Sequence, residues 1–277
     1  MSDQGPTIAA LQVEDRVFAP SDAFVSGARV TDPEIYERAR TDLEGFWAEQ
    51  AAKLDWMEPW TQVLDRSNAP FFQWFTGGKL NVSVNCLDRH LAERGDKVAF
   101  YWEGEPGETA KLTYDDLHER VCKLANAMRD QGIGKGDAVA IYMGMVLELP
   151  VAMLACARIG APHTVVFGGF SAEALGDRIV DFGCTAVITQ DEGWRNGKIV
   201  PLKKNADDAL VNCPAVTTSI VVRRTGNDVG WVEGRDLWYH DLVADASAEC
   251  DPEPMDAEDP LYVLYTSGTT GKPKGIL

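Results

Sequence analysis

At 277 residues with 45% hydrophobic content, the chain is long enough for one large or two ordinary packed domains, which excludes native disorder. Its 43 acidic residues against 26 basic ones give a formal charge of −17, which excludes the polyanions, nucleic acid and anionic membrane, as general partners. A phosphorylated ligand therefore has to find a local basic cluster.

In chain order, residues 1–30 are small and polar and predict a poorly ordered lead. Met1-Ser2-Asp3-Gln4 has neither the basic nor the apolar region of a secretory signal, so a cytoplasmic location is expected. One helix is predicted from Thr31-Asp32-Pro33-Glu34 with Ile35, Leu43, Phe46 and Trp47 on a face. Trp56, Trp60, Phe71, Phe72, Trp74 and Phe75 then crowd together among Pro59, Pro70, Gly77 and Gly78. Their acidic neighbourhood disfavours a base-stacking platform and favours an aromatic lid on a main domain.

From about residue 91 strands and helices alternate. Val98–Trp102 and Ala110–Leu112 predict a hairpin, and Thr113 with Asp116 a capping box opening a helix whose apolar stripe is Leu117, Val121, Leu124 and Met128. Gly132-Ile133-Gly134-Lys135-Gly136-Asp137 mimics a dinucleotide loop but sits between a helix end and a strand start, the wrong order, and is read as a C-cap and turn. Next come a strand (Asp137–Met143), a helix closed by Gly160 (Leu147–Ile159), a strand (His163–Phe167), a helix (Ser171–Phe182) and a strand (Thr185–Thr189). A helix with Pro near its first position (Pro201–Leu210), a strand (Ser219–Val222) and a buried strand (Leu261–Tyr265) complete the series. Ala138–Cys156 carries a single charge, Glu148. A membrane span would bury that carboxylate at about 2.5–3.5 kcal/mol, so strand-then-helix in a soluble fold is preferred. The fold class predicted is α/β, a doubly wound, mainly parallel sheet flanked by helices and preceded by a helical and aromatic extension.

Six cysteines, 28 to 37 residues apart without a C-x-x-C pair, predict reduced, buried, small hydrophobes and no metal site. His90, His118, His163 and His240 are scattered and read as structural. Lysine is scarce, 11 against 15 arginines, and with the acidic excess suggests either a high-salt cytoplasm, where at 1 M the Debye length is about 3 Å, or an ordinary acidic cytosolic protein.

The chemistry concentrates in Thr266-Ser267-Gly268-Thr269-Thr270-Gly271-Lys272-Pro273-Lys274-Gly275. Glycines let backbone N–H groups surround an anion, hydroxyls add donors, and Lys272 and Lys274 add point charges. A Walker A loop is excluded, because only two residues separate Gly268 from Gly271 and Pro273 follows the lysine. A second constellation is the loop Asp191-Glu192-Gly193-Trp194-Arg195-Asn196-Gly197-Lys198 after a strand, where Arg195 and Lys198 either grip a phosphate or form an ordinary exposed basic pair.

The first string resembles the [ST]-S-G-[ST]-T-G-x-P-K-G motif of the adenylate-forming superfamily. Trp74-Phe75-x-Gly77-Gly78-x-Leu80-Asn81 and Asn85-Cys86-Leu87-Asp88-Arg89-His90, the run 191–208, Arg223–Gly226, Glu233–Trp238 and Asp256–Pro260 narrow the likeness to AMP-forming acetyl-CoA synthetases. The resemblance covers 31–277 and implies an acetyl-CoA synthetase-type extension over 31–90, and the first, incomplete part of the large AMP-binding domain over 91–277. It implies ATP with Mg²⁺ and coenzyme A as cofactors, acetate or another short-chain acid as substrate, and acyl-adenylate formation followed by thioester formation. It implies ATP phosphate binding by Thr266, Ser267, Gly268, Thr269, Thr270, Gly271, Lys272 and Lys274. It implies coenzyme A binding by Arg195, Asn196, Gly197 and Lys198, with Gly169 of Phe167-Gly168-Gly169-Phe170-Ser171 on the pantetheine path or merely in a tight turn. The family's catalytic lysine belongs to a C-terminal domain beyond these residues, so no catalytic residue is named; a truncated ligase, a piece completed by a separately encoded portion, or a non-catalytic binding remnant are the expectations.

Overall fold

The computed structural model describes residues 16–266 and 273–277. Residues 1–15, and with them most of the expected lead, lie outside the described residues, as do Ser267, Gly268, Thr269, Thr270, Gly271 and Lys272 of the expected phosphate loop. The chain divides into two units, residues 1–51 and 52–277.

In the first unit α1 (Asp22–Ser26) is capped by Ser21, whose Oγ accepts from Phe24 N at 3.3 Å. The single helix expected from Thr31 is two, α2 (Glu34–Thr41) and α3 (Leu43–Ala51). Asp42 makes the break: its backbone leaves the helical region (φ −133, ψ 72), and its Oδ1 accepts from Gly45 N at 3.0 Å, restarting the next helix as a cap. Arg38 reaches across the break to Glu49 at 2.8 Å.

The second unit opens with an antiparallel hairpin, β1 (Gln62–Asp65) and β2 (Gln73–Thr76), then β3 (Lys79–Leu80). Trp56, Trp60 and Phe75 close a ring triangle with centroids 4.9 to 5.7 Å apart. A Cβ on Gly78 would lie 2.4 Å from the Trp56 ring, so only glycine lets the indole settle there. Phe71 and Phe72 stay exposed. A wide helical turn, Val84–Asp88, leads into α4 (Arg89–Arg94).

Then follow the hairpin β4 (Val98–Glu103) and β5 (Thr109–Thr113) and helix α5 (Tyr114–Asp130). The predicted capping box is present, and Leu117, Val121, Leu124 and Met128 are buried. The winding continues with β6 (Val139–Met143), α6 (Glu148–Ile159), β7 (His163–Phe167), α7 (Ala172–Phe182) and β8 (Ala186–Gln190). Next are β9 (Gly193–Arg195), β10 (Lys198–Val200), α8 (Leu202–Leu210), β11 (Thr218–Val222), β12 (Asp236–Trp238) and α9 (Tyr239–Ala244). Short strands β13 (Met255–Asp256), β14 (Leu264–Thr266) and β15 (Lys274–Ile276) end the described chain.

The sheet has the order β12-β11-β8-β6-β7 with every pair parallel. Alternation along the strands builds a core on each face. Val139, Ile141, Met143, Ile188 and Ile220 join α5 and α6, while Ala140, Tyr142, Val166 and Val187 join α7 and α8. The doubly wound α/β expectation is met. Ala138–Cys156 is a fully buried central strand followed by a core helix, and no helix among the described residues is long and apolar enough to cross a membrane.

Three further expectations are corrected. Leu261–Tyr265 is not a buried strand. Tyr262 makes one parallel bridge to His163 at the β7 edge, after which β14 leaves the sheet, pairs with β15 and lies largely exposed, its ladder bonds taken by the hairpin. The loop carrying Arg195 and Lys198 is itself a hairpin, β9–β10. Cys86 is exposed, being on the outer side of the turn whose Leu87 is buried; all six cysteines are free thiols.

The aromatic segment is fastened to the stretch ahead of β14. β3 pairs with β13, Lys79 Nζ meets Asp256 Oδ1 at 2.7 Å, and Trp74 N donates to Glu258 at 2.6 Å. Nearby, His118 Nε2 stands 3.4 Å from Asp88 Oδ1 and 3.6 Å from the Cys122 thiol, and these partners raise its pKa to about 9. A group raised above its ordinary 6.5 stabilises the fold fully below that value and loses the contribution as pH climbs through about 9. Melting temperature should therefore fall between pH 6.5 and 9 in the parent chain and stay flatter in His118→Gln; equal slopes would remove the Asp88–His118 interaction from the account.

Candidate functional site

In the parallel order β7-β6-β8-β11-β12 the chain lays β7 on one side of β6 and β8 on the other, so the strand order reverses between β6 and β8, and ligands of such sheets bind outside the carboxyl ends at that switch point. A cleft of about 680 Å³ lies there. Its walls come from Gly144–Val146 after β6, Phe167–Gly169 after β7, Gly193–Arg195 after β8, Arg224 after β11 and Trp102–Glu105 at the end of β4. At its base buried Gln190 accepts from Gly144 N at 2.8 Å and donates to Glu192 O at 2.6 Å, tying the β6 and β8 loops together.

Asn196 and Gly197 both adopt positive φ (52 and 70), and an Asn-Gly turn of that kind matches the twist of a two-residue hairpin. Arg195 and Lys198 face each other directly across it. Their side chains thus share one hairpin face within reach of a single ligand. The Arg195 guanidinium lies 4.7 Å over the Phe167 ring, and a Cβ on Gly169 would sit 2.2 Å from its Nη1, so Gly169 leaves Arg195 its place. Lys198 is exposed and has no ion pair among the described residues. The structure therefore brings Gly169 and Arg195 together in the cleft wall, while Asn196, Gly197 and Lys198 complete the same hairpin outside the cleft lining.

The glycine turn is held from beneath. Tyr142, whose ring is in the core, donates its hydroxyl to Phe170 O at 2.7 Å. Ser171 caps α7 by accepting from Ala174 N at 3.3 Å. On the far wall the Arg224 guanidinium lies 5.2 Å over Trp102 and meets Glu108 at 2.9 Å.

The other expected site is only partly in view. Thr266 and Lys274 oppose each other across β14–β15, both exposed, and neither lines the cleft. Tyr265 anchors this hairpin to α7 by donating its hydroxyl to Asp181 at 2.7 Å. Arg178 lies 5.2 Å over Tyr265 and 4.8 Å over Phe170, linking the root of the hairpin to the glycine turn.

The histidines lie elsewhere: His90 edges Tyr114, His240 accepts from Arg223 N at 3.2 Å, and buried His163 has its pKa pushed down to about 4 by burial. Among the described residues no group of three or more His, Cys, Asp or Glu gathers to hold a metal ion. Sequence reasoning missed Tyr142, Gln190, Trp102, Glu105 and Arg224. The Asn196-Gly197 dipeptide between Trp194 and Ile199 did carry a readable hairpin signal.

Residues 87–277 match the family described as AMP-binding enzyme, and residues 33–86 match the acetyl-coenzyme A synthetase N-terminus. An acetyl-coenzyme A synthetase 2 of Pseudomonas putida is 55% identical over 267 residues, 93% of this chain and 41% of that protein. An acetyl-coenzyme A synthetase of Rubrobacter xylanophilus is 56% identical over 264 residues, 95% of this chain and 41% of that protein. The solved acetoacetyl-CoA synthetase from Streptomyces lividans superimposes with a TM-score of 0.81 at 27% identity, covering 92% of this chain and 40% of that one. The chain thus spans about 41% of the length of these curated relatives.

Proposed function

The chain belongs to the AMP-binding enzyme family, and from that premise we propose that it carries the N-terminal part of an AMP-forming acyl-CoA ligase, with acetate as the acid and ATP and coenzyme A as co-substrates. Propionate is the second choice. The observation that carries this reading is Arg195 in the wall of the switch-point cleft with Lys198 directly opposite it across one tight turn.

Arg195 offers a planar fork and Lys198 a mobile point charge, a combination suited to the nucleotide phosphates of coenzyme A. Asn196 and Gly197 shape the turn, and Gly169 keeps the approach beside Arg195 narrow but open. In the same proposal Thr266, Ser267, Gly268, Thr269, Thr270, Gly271, Lys272 and Lys274 embrace the terminal phosphates of ATP, whose charge Mg²⁺ would offset when bound. The chain's own residues then bind and orient, which is most of what phosphoryl-centre chemistry asks of a protein. Domain limits at residues 30 and 90 and a cytoplasmic setting belong to the same reading. If that cytoplasm is salt-rich, screening of the −17 charge should raise the melting temperature at about 1 M KCl relative to dilute buffer, and a fall would count against it.

Calorimetric titration with adenosine 3′,5′-bisphosphate tests the site. Arg195→Ala and Lys198→Ala are each expected to weaken binding about tenfold, the loss of one charge-assisted contact. Unchanged affinity in both variants would move the coenzyme A site away from this hairpin. Acetate-dependent pyrophosphate exchange is expected to be absent from the 277-residue chain, and its presence would locate the whole adenylation machinery within these residues.

A further inference from the structure

The two amides at the tip of the β9–β10 turn are already taken. Asn196 N donates to one oxygen of the Glu105 carboxylate at 3.0 Å, and Gly197 N donates to the other. Glu105 reaches them from the β4–β5 loop, 91 residues earlier in the chain. That loop is tightly built: a Cβ on Gly104 would meet Glu108 at 2.4 Å and the Trp102 ring at 2.7 Å. Consecutive main-chain N–H groups converging on two oxygens of one anion form an anion seat, and Arg195 and Lys198 flank it across the turn.

We infer that Glu105 is the internal occupant of this seat and sets how tightly, and which, anions are admitted. This rests on the reading that the hairpin receives a nucleotide phosphate. A carboxylate brings one charge and two oxygens, whereas a phosphomonoester brings nearly two charges and three strong acceptor oxygens. The phosphomonoester therefore displaces Glu105 onto solvent, while singly charged anions do not. Glu105 is exposed, so its release costs no burial. A seat filled about nine-tenths of the time by its own carboxylate shows an apparent affinity about tenfold weaker than its intrinsic one.

The test uses the full 277-residue chain, ¹⁵N-labelled, with adenosine 3′,5′-bisphosphate as probe. Asp228→Asn removes one charge from an exposed position on the loop after β11, outside the cleft lining and the turn amides, and serves as the control. In the ligand-free state Glu105→Gln should shift the Asn196 and Gly197 amide resonances and Asp228→Asn should leave them in place. Glu105→Gln should then bind the bisphosphate about tenfold more tightly than the parent, and Asp228→Asn within about twofold of it. Equal tightening by both variants would reduce Glu105 to a general charge effect and overturn the inference. Binding that perturbs Arg195 and Lys198 equally in parent and Glu105→Gln would overturn it while leaving the phosphate site intact. No perturbation of Arg195 or Lys198 in any variant would overturn both.

Discussion

Replacing Asp88 with alanine is expected to destabilise the chain by about 3–5 kcal/mol, the cost of leaving a buried charge without its partner. Arg158 is 3% exposed and sends two parallel bonds to Asp88, at 2.9 and 3.0 Å. Its remaining donors reach Cys250 O at 2.7 Å and Ser83 Oγ at 3.3 Å. The guanidinium therefore joins α6, the turn before α4 and the strand-poor stretch after α9. Burial works to raise the Asp88 pKa, but bonds from His118 and Arg158 bring it well below the ordinary carboxylate range, so the pair stays ionised through neutral pH. Urea midpoints at unchanged slope would measure the loss. Asp88→Leu combined with Arg158→Met should recover much of it, because an apolar pair no longer has a charge to desolvate. A cost below about 1 kcal/mol for Asp88→Ala would show that water replaces the carboxylate.

Asp191→Ala is expected to cost about 3 kcal/mol and also to weaken the cleft. Its carboxylate is fully buried at the end of β8 and accepts from Arg224 N at 2.8 Å, Thr225 N at 3.1 Å and Gly226 N at 2.8 Å. It also accepts from Glu192 N at 2.6 Å. Three amides of the loop after β11 would lose their acceptor together, each worth about 1–3 kcal/mol if it stayed buried and less if the loop opened to water. Opening would carry Arg224 off Trp102 and so alter the wall opposite Arg195. Hydrogen exchange at residues 224–226 should accelerate in step with the lost stability, and bisphosphate affinity should fall. Fast exchange with unchanged affinity would uncouple this loop from the site. Asp191→Asn should lie between, keeping one accepting oxygen but turning an N–H₂ toward donors.

The alternation of strands and helices, the Thr113–Asp116 capping box, the Gly160 helix end and the Ser171 start were all legible along the chain. Each is decided within a few residues, by side-chain period or by a side chain satisfying nearby N–H groups. The Asp42 break was missed because Ile35, Leu43, Phe46 and Trp47 keep a helical period across it, while one carboxylate redirects the backbone. The strand at Leu261–Tyr265 was misread for the opposite reason: β-branched and aromatic residues predict a strand but not its partner. Here the partner of Leu264–Thr266 is Lys274–Ile276.

Residue type and spacing by themselves determined the family likeness, the parallel α/β class and the cation pair Arg195 and Lys198, since all three are local patterns. Tertiary structure alone decided that the β6 and β8 loops meet in one cleft, that Arg224 lies over Trp102, and that Glu105 occupies the amides of Asn196 and Gly197. The physical reason is sequence distance. A hydrogen bond spanning 91 residues exists only after the sheet order and register have brought two loops to the same edge, and no period or propensity along the chain encodes that meeting.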